Sequence, residues 1–299
     1  MEALNLKVHD GTGLLITFCG LDGCGKSTMI EKTAAYLEKK GHSLLLTRQP
    51  TDFVRRSDIF RTYMDLEDHD NYEYRSLSLL AASDRVQHSC HVILPALREG
   101  KTVISDRYFY SCLANLRARG YREDRWIYEI AETIPKLDLA FFLDVPVKTA
   151  VARVRSRAAE KDRYIDMALQ YELRKEYREI CGRSGGILIN AEGPWEQTFA
   201  AVREKIDELL ARRPDMSGQV LALLGELAAG SSVCRESRLS EDLGLDSFGR
   251  VSLILALEEL LDAEFEESDL DPFQLVTAGD VVRLAQKYAG GAYENTAAV

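Results

Sequence analysis

The segment from Leu14 to Thr28 constrains this chain more than any other. Leu14-Leu-Ile-Thr-Phe18 is a short apolar run that stops at a glycine, which reads as a buried strand. Gly20-Leu21-Asp22-Gly23-Cys24-Gly25-Lys26-Ser27-Thr28 follows, with the spacing GxxxxGK[ST]. Small Gly20, Gly23 and Gly25 let backbone N–H groups turn inward around a polyphosphate. Lys26 then reaches the β and γ phosphates, and the Ser27 hydroxyl is placed to ligate Mg²⁺. From Thr28 a helix begins, and its positive end faces the anion. The strand before and the helix after are the context a nucleotide loop needs, so ATP and Mg²⁺ are the expected cofactors. Cys24 serves as a small residue within the loop.

The rest of the first two thirds alternates in the same way. Thr28 to Lys40 has helical spacing, with Ile30, Ala34 and Leu37 on one face, and ends at Gly41. Ser43–Thr47, Thr102–Ser105, Leu139–Leu143 and Ile187–Asn190 read as further strands. A long helix is expected over Leu77–Leu97, and others over Lys148–Arg157, Met167–Cys181 and Trp195–Arg212. Strands alternating with helices predict an α/β fold, a doubly wound parallel sheet of the P-loop NTPase type. Beyond Pro214 only helical patterns appear, at 216–229, 248–261 and 278–288, which predicts a small all-α bundle. Two domains are therefore expected, 1–213 and 214–299, with a disordered tail from Gly290.

Charge divides at the same place. Residues 214–299 carry 16 acidic and 5 basic side chains, whereas the first 213 carry 32 and 33. Different partners are expected for the two parts, and neither is a basic body suited to nucleic acid. No apolar run of about 18 residues predicts a membrane span, and the N-terminus lacks the pattern of a signal peptide. The 6 cysteines are scattered without a CxxC pair, which argues for free thiols in a reducing cytoplasm and against a zinc site.

Several segments of residues 14–210 resemble the thymidylate kinase family. The loop's Gly-Leu-Asp-Gly-x-Gly-Lys-Ser-Thr is similar to that family's version. So are Thr47-Arg48-Gln49-Pro50, where the family usually has Thr-Arg-Glu-Pro, and Ser83-Asp84-Arg85-Val86-Gln87-His88. Asp106-Arg107-Tyr108 with Ser111 resembles its DRY-x-x-S segment, and Arg153, Arg157 and Asp162-Arg163 its lid. The resemblance implies that Arg48 and Arg107 hold the acceptor's anionic group. Asp22 would orient the acceptor, Arg85 would line its pocket, and Asp106 would lie near Mg²⁺. One of Arg153, Arg155, Arg157 or Arg163 would stabilise the transferring phosphoryl. The family is commonly dimeric, so a homodimer through this domain is expected.

The acceptor side departs from the family. Where an aromatic residue typically stacks on thymine stands Ala81, and where Ala-Tyr-Gln commonly follows the DRY segment stand Ala114-Asn115-Leu116. Stacking on a base is worth about 1–3 kcal/mol. Its loss predicts an altered acceptor, unless Tyr74 or Phe109 fills the space.

Leu243-Gly-Leu-Asp246-Ser247-Phe248 and the helix after it resemble the acyl carrier protein family, over residues 215–289. That resemblance implies a 4′-phosphopantetheine arm on Ser247, a core of Val251, Ile254, Leu255 and Leu261, and an acidic docking face of Glu258, Glu259, Asp262, Glu264, Glu266 and Glu267. A phosphopantetheinyl transferase and an acyl-loading enzyme would be partners. The other reading of Ser247 is a helix N-cap and nothing more. Together the two parts predict a kinase that phosphorylates an acyl, hydroxyacyl or aminoacyl group tethered to its own chain, in natural-product (antibiotic) biosynthesis. Asp22 or Asp106 would serve as general base for a tethered hydroxyl. The alternatives are a thymidylate kinase with an appended carrier domain, and a non-catalytic docking scaffold.

Overall fold

The computed structural model describes residues 4–9, 11–65, 71–161, 163–212, 216–228, 232–266, 269–270 and 275–291. The chain divides into two compact units, Met1–Leu210 and Ala211–Val299.

The first unit is built on five parallel strands: β1 (Leu15–Cys19), β2 (Leu44–Arg48), β3 (Thr102–Asp106), β4 (Leu139–Asp144) and β5 (Ile187–Asn190). Their spatial order is β2-β3-β1-β4-β5. β1 is therefore central, with Phe18 opposite Asp106 on one side and Phe141 on the other. Every residue of β1 is buried, which explains its unbroken apolar run, whereas the edge strands β2 and β5 alternate. The order reverses at β1, so the carboxyl ends of β1 and β3 border the crevice where open α/β sheets bind ligands.

Helices cover the sheet. α1 (Lys26–Lys39) follows the loop, and α2 (Asp52–Arg55) and α3 (Asp58–Asp65) follow β2. The expected long helix is three segments: α4 (Tyr74–His88), a π-helical turn at Ser89–Ile93, and α5 (Leu94–Arg98). A π turn leaves the helical path continuous, so periodicity alone does not reveal it. After β3 comes α6 (Phe109–Ala118), then α7 (Trp126–Ala131). α8 (Val147–Arg155) leads through a 3₁₀ turn at Ala158–Glu160 to α9 (Met167–Arg183), and α10 (Trp195–Arg212) closes the series. α9 packs on α6 through a buried ion pair, Arg117 Nε to Glu176 Oε2 at 2.8 Å.

The second unit contains α11 (Met216–Leu227), α12 (Ser247–Leu261) and α13 (Ala278–Gly291). Residues 292–299 of the expected tail lie outside the described residues, as do the junction 213–215 and Glu267. The core face of α12 is Leu253, Leu257 and Leu261, packed with Val220, Leu224, Val281 and Val282. Ile254 packs against that core, but Val251 and Leu255, expected within it, are exposed. α12 is apolar on both sides, so two helical faces fitted the sequence and packing chose between them. Two further side chains are engaged within the unit. Arg250 donates to the Leu275 carbonyl and Ser240 Oγ, both at 3.0 Å, and Glu258 accepts from the Phe265 N–H at 2.9 Å.

Candidate active site

The loop takes its shape from three glycines with positive φ: Gly20 at 136°, Gly23 at 82° and Gly25 at 104°. Gly23 has a second constraint, because a Cβ there would lie 2.2 Å from the Ala150 carbonyl oxygen. The loop thus needs glycine both for its turn and for its approach to α8. Lys26 folds back onto its own loop, donating to the Leu21 carbonyl at 2.8 Å and the Gly20 carbonyl at 3.3 Å. Ser27 and Thr28 occupy the first turn of α1.

Two cavities flank the loop. The smaller, of about 560 Å³, is lined by Ser27, Asp106, Arg48, Asp52 and His88 among others. Asp106 Oδ1 is buried there with no hydrogen-bond partner. An orphan carboxylate oxygen in one cavity with the Ser27 hydroxyl is a hard-oxygen donor set that fits Mg²⁺. Among the described residues no cluster of three or more His, Cys, Asp or Glu could hold a metal alone. Phosphate oxygens or water would complete the coordination.

The larger cavity, of about 900 Å³, is walled by α4 and α6 and bordered by Leu21 and Asp22. Where loop and cavity meet, Arg107 Nη2 donates to Asp22 Oδ1 at 2.5 Å, and Arg163 Nη2 to Asp22 Oδ2 at 3.2 Å. Arg107 sits at φ 68°, a left-handed conformation that turns its side chain back toward β1. Its Nη1 also bonds the Gly20 carbonyl at 3.0 Å and Tyr177 Oη at 2.9 Å. Burial alone would raise the pKa of Asp22, but the charges of Arg107, Lys26 and Arg163 outweigh it and hold the carboxyl below its usual range. Asp22 is therefore a charged anchor and a poor general base.

Of the residues expected at the acceptor, Asp22, Ala81, Arg85, Arg107 and Asn115 line the larger cavity. Arg48 does not. It lies at the exposed end of edge strand β2, pairs with Asp52, and lines the smaller cavity. Arg55 occupies the larger cavity instead, with its Nε bonded to the Pro50 carbonyl at 2.8 Å. Burial, then the positive charges of Arg107 and Arg48, lower its pKa. The family motif drew attention to Arg48; nothing in the local sequence marked Arg55.

The lid cations also separate. Arg153 is tied to the loop after β5, donating to the Ala191 and Glu192 carbonyls at 3.0 Å each. Arg157 is exposed and pairs with Glu160 at 3.2 Å. Neither lines either of these two cavities, and Arg163 is the member of the group that reaches Asp22. Asp162 lies outside the described residues. Leu116 and Phe109 are fully buried in the core and line neither of the two cavities, whereas Tyr74 lines the larger one. Tyr177 and Arg55 are the site residues that sequence reasoning missed.

Comparison with known proteins places these features. A family model described as Thymidylate kinase matches residues 18–202. A probable thymidylate kinase of Pyrococcus horikoshii is 39% identical over 173 residues, covering 56% of this chain and 83% of that protein. A thymidylate kinase of Bacillus cytotoxicus is 32% identical over 209 residues, covering 66% of this chain and 99% of that protein.

Proposed function

The chain belongs to the thymidylate kinase family of ATP-dependent phosphotransferases, and from that membership we propose that it phosphorylates the phosphate group of a thymidylate-type nucleoside monophosphate. The observation that carries this reading is the state of Asp22. A hydroxyl acceptor benefits from a base to remove its proton, whereas a monophosphate arrives with an anionic oxygen ready to attack. The carboxylate between loop and cavity is held ionised by two guanidiniums and is unsuited to collecting a proton.

The remaining groups fit the same reaction. Backbone N–H groups of the glycine loop and Lys26 would hold the β and γ phosphates of ATP. The Ser27 hydroxyl and Asp106 carboxylate would hold Mg²⁺, which neutralises charge between those phosphates. Arg107 and Arg55 would bind the acceptor phosphate in the larger cavity, and Arg163 would meet the charge that spreads over the transferring group. No helix among the described residues is long and apolar enough to cross a membrane. A coupled assay of ATP consumption with thymidine, uridine, cytidine and adenosine monophosphates tests the proposal. Turnover of a pyrimidine monophosphate that is lost in Lys26→Ala is expected. ATP consumption with none of them would overturn it.

A second reading, a tethered acyl acceptor, is favoured by one observation in the second unit. Ser247 is exposed at the first position of α12, with Asp246 capping the helix by accepting from the Gly249 N–H at 2.8 Å. Exposed Phe248, Val251 and Leu255 continue from it. This would suit an attached 4′-phosphopantetheine and a docking enzyme. Incubation with coenzyme A and a broad-specificity phosphopantetheinyl transferase should then add one arm, absent in Ser247→Ala. No mass gain would end this reading.

A further inference from the structure

The larger cavity extends away from the phosphate loop along α6. The helix rises about 1.5 Å per residue, so Arg119, at its C-terminal cap, lies about 15 Å along the axis from Phe109, which follows the Arg107-Tyr108 pair. Arg119 meets α4 there. Its guanidinium sits 4.0 Å above the Tyr74 ring, and its Nη1 donates to Asn115 Oδ1 at 3.0 Å and the Asn115 carbonyl at 3.3 Å. Arg85, about three turns further along the same face of α4 and so nearer the phosphate loop, is 2% exposed. Its Nη1 donates to the Ala81 carbonyl at 2.8 Å, and its Nε has no partner. All five residues line the cavity.

The polar groups at this end are unequal in kind. One guanidinium, that of Arg119, stands at this end, and it pairs with no carboxylate among the described residues. The nearby carboxylates are already engaged, since Arg75 binds both Glu73 and Asp124. Burial pushes the Tyr74 phenol up to about 12, so it keeps its proton and can donate. Asn115 spends its oxygen on Arg119 and its amide on the Ser111 carbonyl at 2.9 Å. What remains is a set of donors with little to accept. The edge of a neutral pyrimidine offers an N–H beside its carbonyls, and that N–H would face donors. An ionised carboxylate offers acceptors alone, in the planar geometry a guanidinium fork matches. Small Ala81 leaves room for it.

We propose that this end of the cavity is a subsite for a carboxylate carried by the acceptor, opposite its phosphorylated end, with Arg119 as the specificity-determining residue. The proposal rests on the reading of the cavity as an acceptor site.

The test compares two ligands that share a phosphate, thymidine 5′-monophosphate and its analogue with a carboxylate in place of the 5-methyl group. Calorimetric titration of the full-length protein should give about tenfold tighter binding of the carboxylated nucleotide. Arg119→Gln should bring the two affinities together, and Arg119→Lys should restore part of the difference. An unchanged melting temperature in each variant shows that the fold is kept. Equal or weaker binding of the carboxylated nucleotide to the wild-type protein overturns the proposal, as does an unchanged ratio in Arg119→Gln. Binding of neither overturns it too. ATP-dependent turnover is read separately: nucleotides that bind in the expected ratio without being phosphorylated would sink the proposed kinase reaction and leave the subsite standing.

Discussion

The phenolic oxygen of Tyr177 accepts a hydrogen bond from Arg107 Nη1 at 2.9 Å and donates its own proton to Ser111 Oγ at 3.0 Å. Burial pushes this phenol up to about 12, so the proton stays on oxygen through the neutral range. The bond links α9 to the residue after β3 and fixes the direction of a guanidinium that already bends back through a positive φ. Removing the oxygen in Tyr177→Phe should keep the fold and loosen Arg107. A hydrogen bond to a charged group contributes about 1.5–3 kcal/mol, which predicts a loss of about 10-fold or more in kcat/KM for the acceptor. The KM for ATP should stay within about 2-fold, because Tyr177 lies outside the smaller cavity. Equal losses toward both substrates would show a general structural effect instead.

Arg48 and Arg55 should behave as opposites. Arg55→Ala removes a cation from the larger cavity and should raise the acceptor KM by about 10-fold or more at nearly constant kcat. Arg48→Ala breaks an exposed pair with Asp52, an interaction worth about 0–1 kcal/mol, and should leave the acceptor KM within about 3-fold. Steady-state kinetics on the two variants decides the matter, and a larger acceptor effect in Arg48→Ala would restore the role its motif suggested.

The ion pair between Arg117 and Glu176 should matter to stability. Their side chains are 3% and 0% exposed, so truncating Glu176 leaves the buried Arg117 with only Glu179, at 3.3 Å, and takes a partner from Arg122. Removing one partner of a buried pair costs about 3–5 kcal/mol where nothing compensates, and Glu179 offsets part of that here. Glu176→Ala should therefore lower the denaturation midpoint of the first unit markedly, and Glu176→Ala with Arg117→Met should recover part of the loss. Chemical denaturation of the two variants is the check. A double variant no more stable than the single one would argue against stranded charge as the cause.

His88 should make stability depend on pH. Its Nδ1 lies 3.2 Å from Gln49 Nε2 and its Nε2 lies 2.8 Å from Thr47 Oγ1. A neutral ring accepts from Gln49 at the first and donates to Thr47 at the second. Burial lowers its pKa below the ordinary value of 6.5. Above that value the ring is neutral in folded and unfolded chains alike, and its contribution is fully present. As pH falls below it, the unfolded chain gains a proton that the folded one resists, and stability declines until the folded pKa is passed. Melting temperatures measured from pH 7.5 to 5 should fall less in His88→Gln than in the wild type. Parallel curves would exclude His88 as the source.

Most of the sheet was legible because its strands are short, apolar and bounded by glycine or charge, as Leu15–Cys19 and Thr102–Asp106 illustrate. α6 was not, because Phe109 through Ala114 are all buried and a helix without a polar face shows no period. Asp22, Arg85 and Arg107 could be read from their motifs. The places of Arg48, Arg55 and Arg153 depend on partners far along the chain or on which way a turn sends the backbone. For Arg153 those partners are carbonyls 38 and 39 residues away. Spacing carries no information about such contacts.

The contacts of Lys26 with the Leu21 and Gly20 carbonyls bear on which anions the loop admits. An ammonium resting on its own backbone is already solvated by the protein, so an arriving anion must outbid two oxygens at once. The position of the ammonium is thus set by residues five and six places earlier in the chain, and the loop carries its cation as part of its own turn.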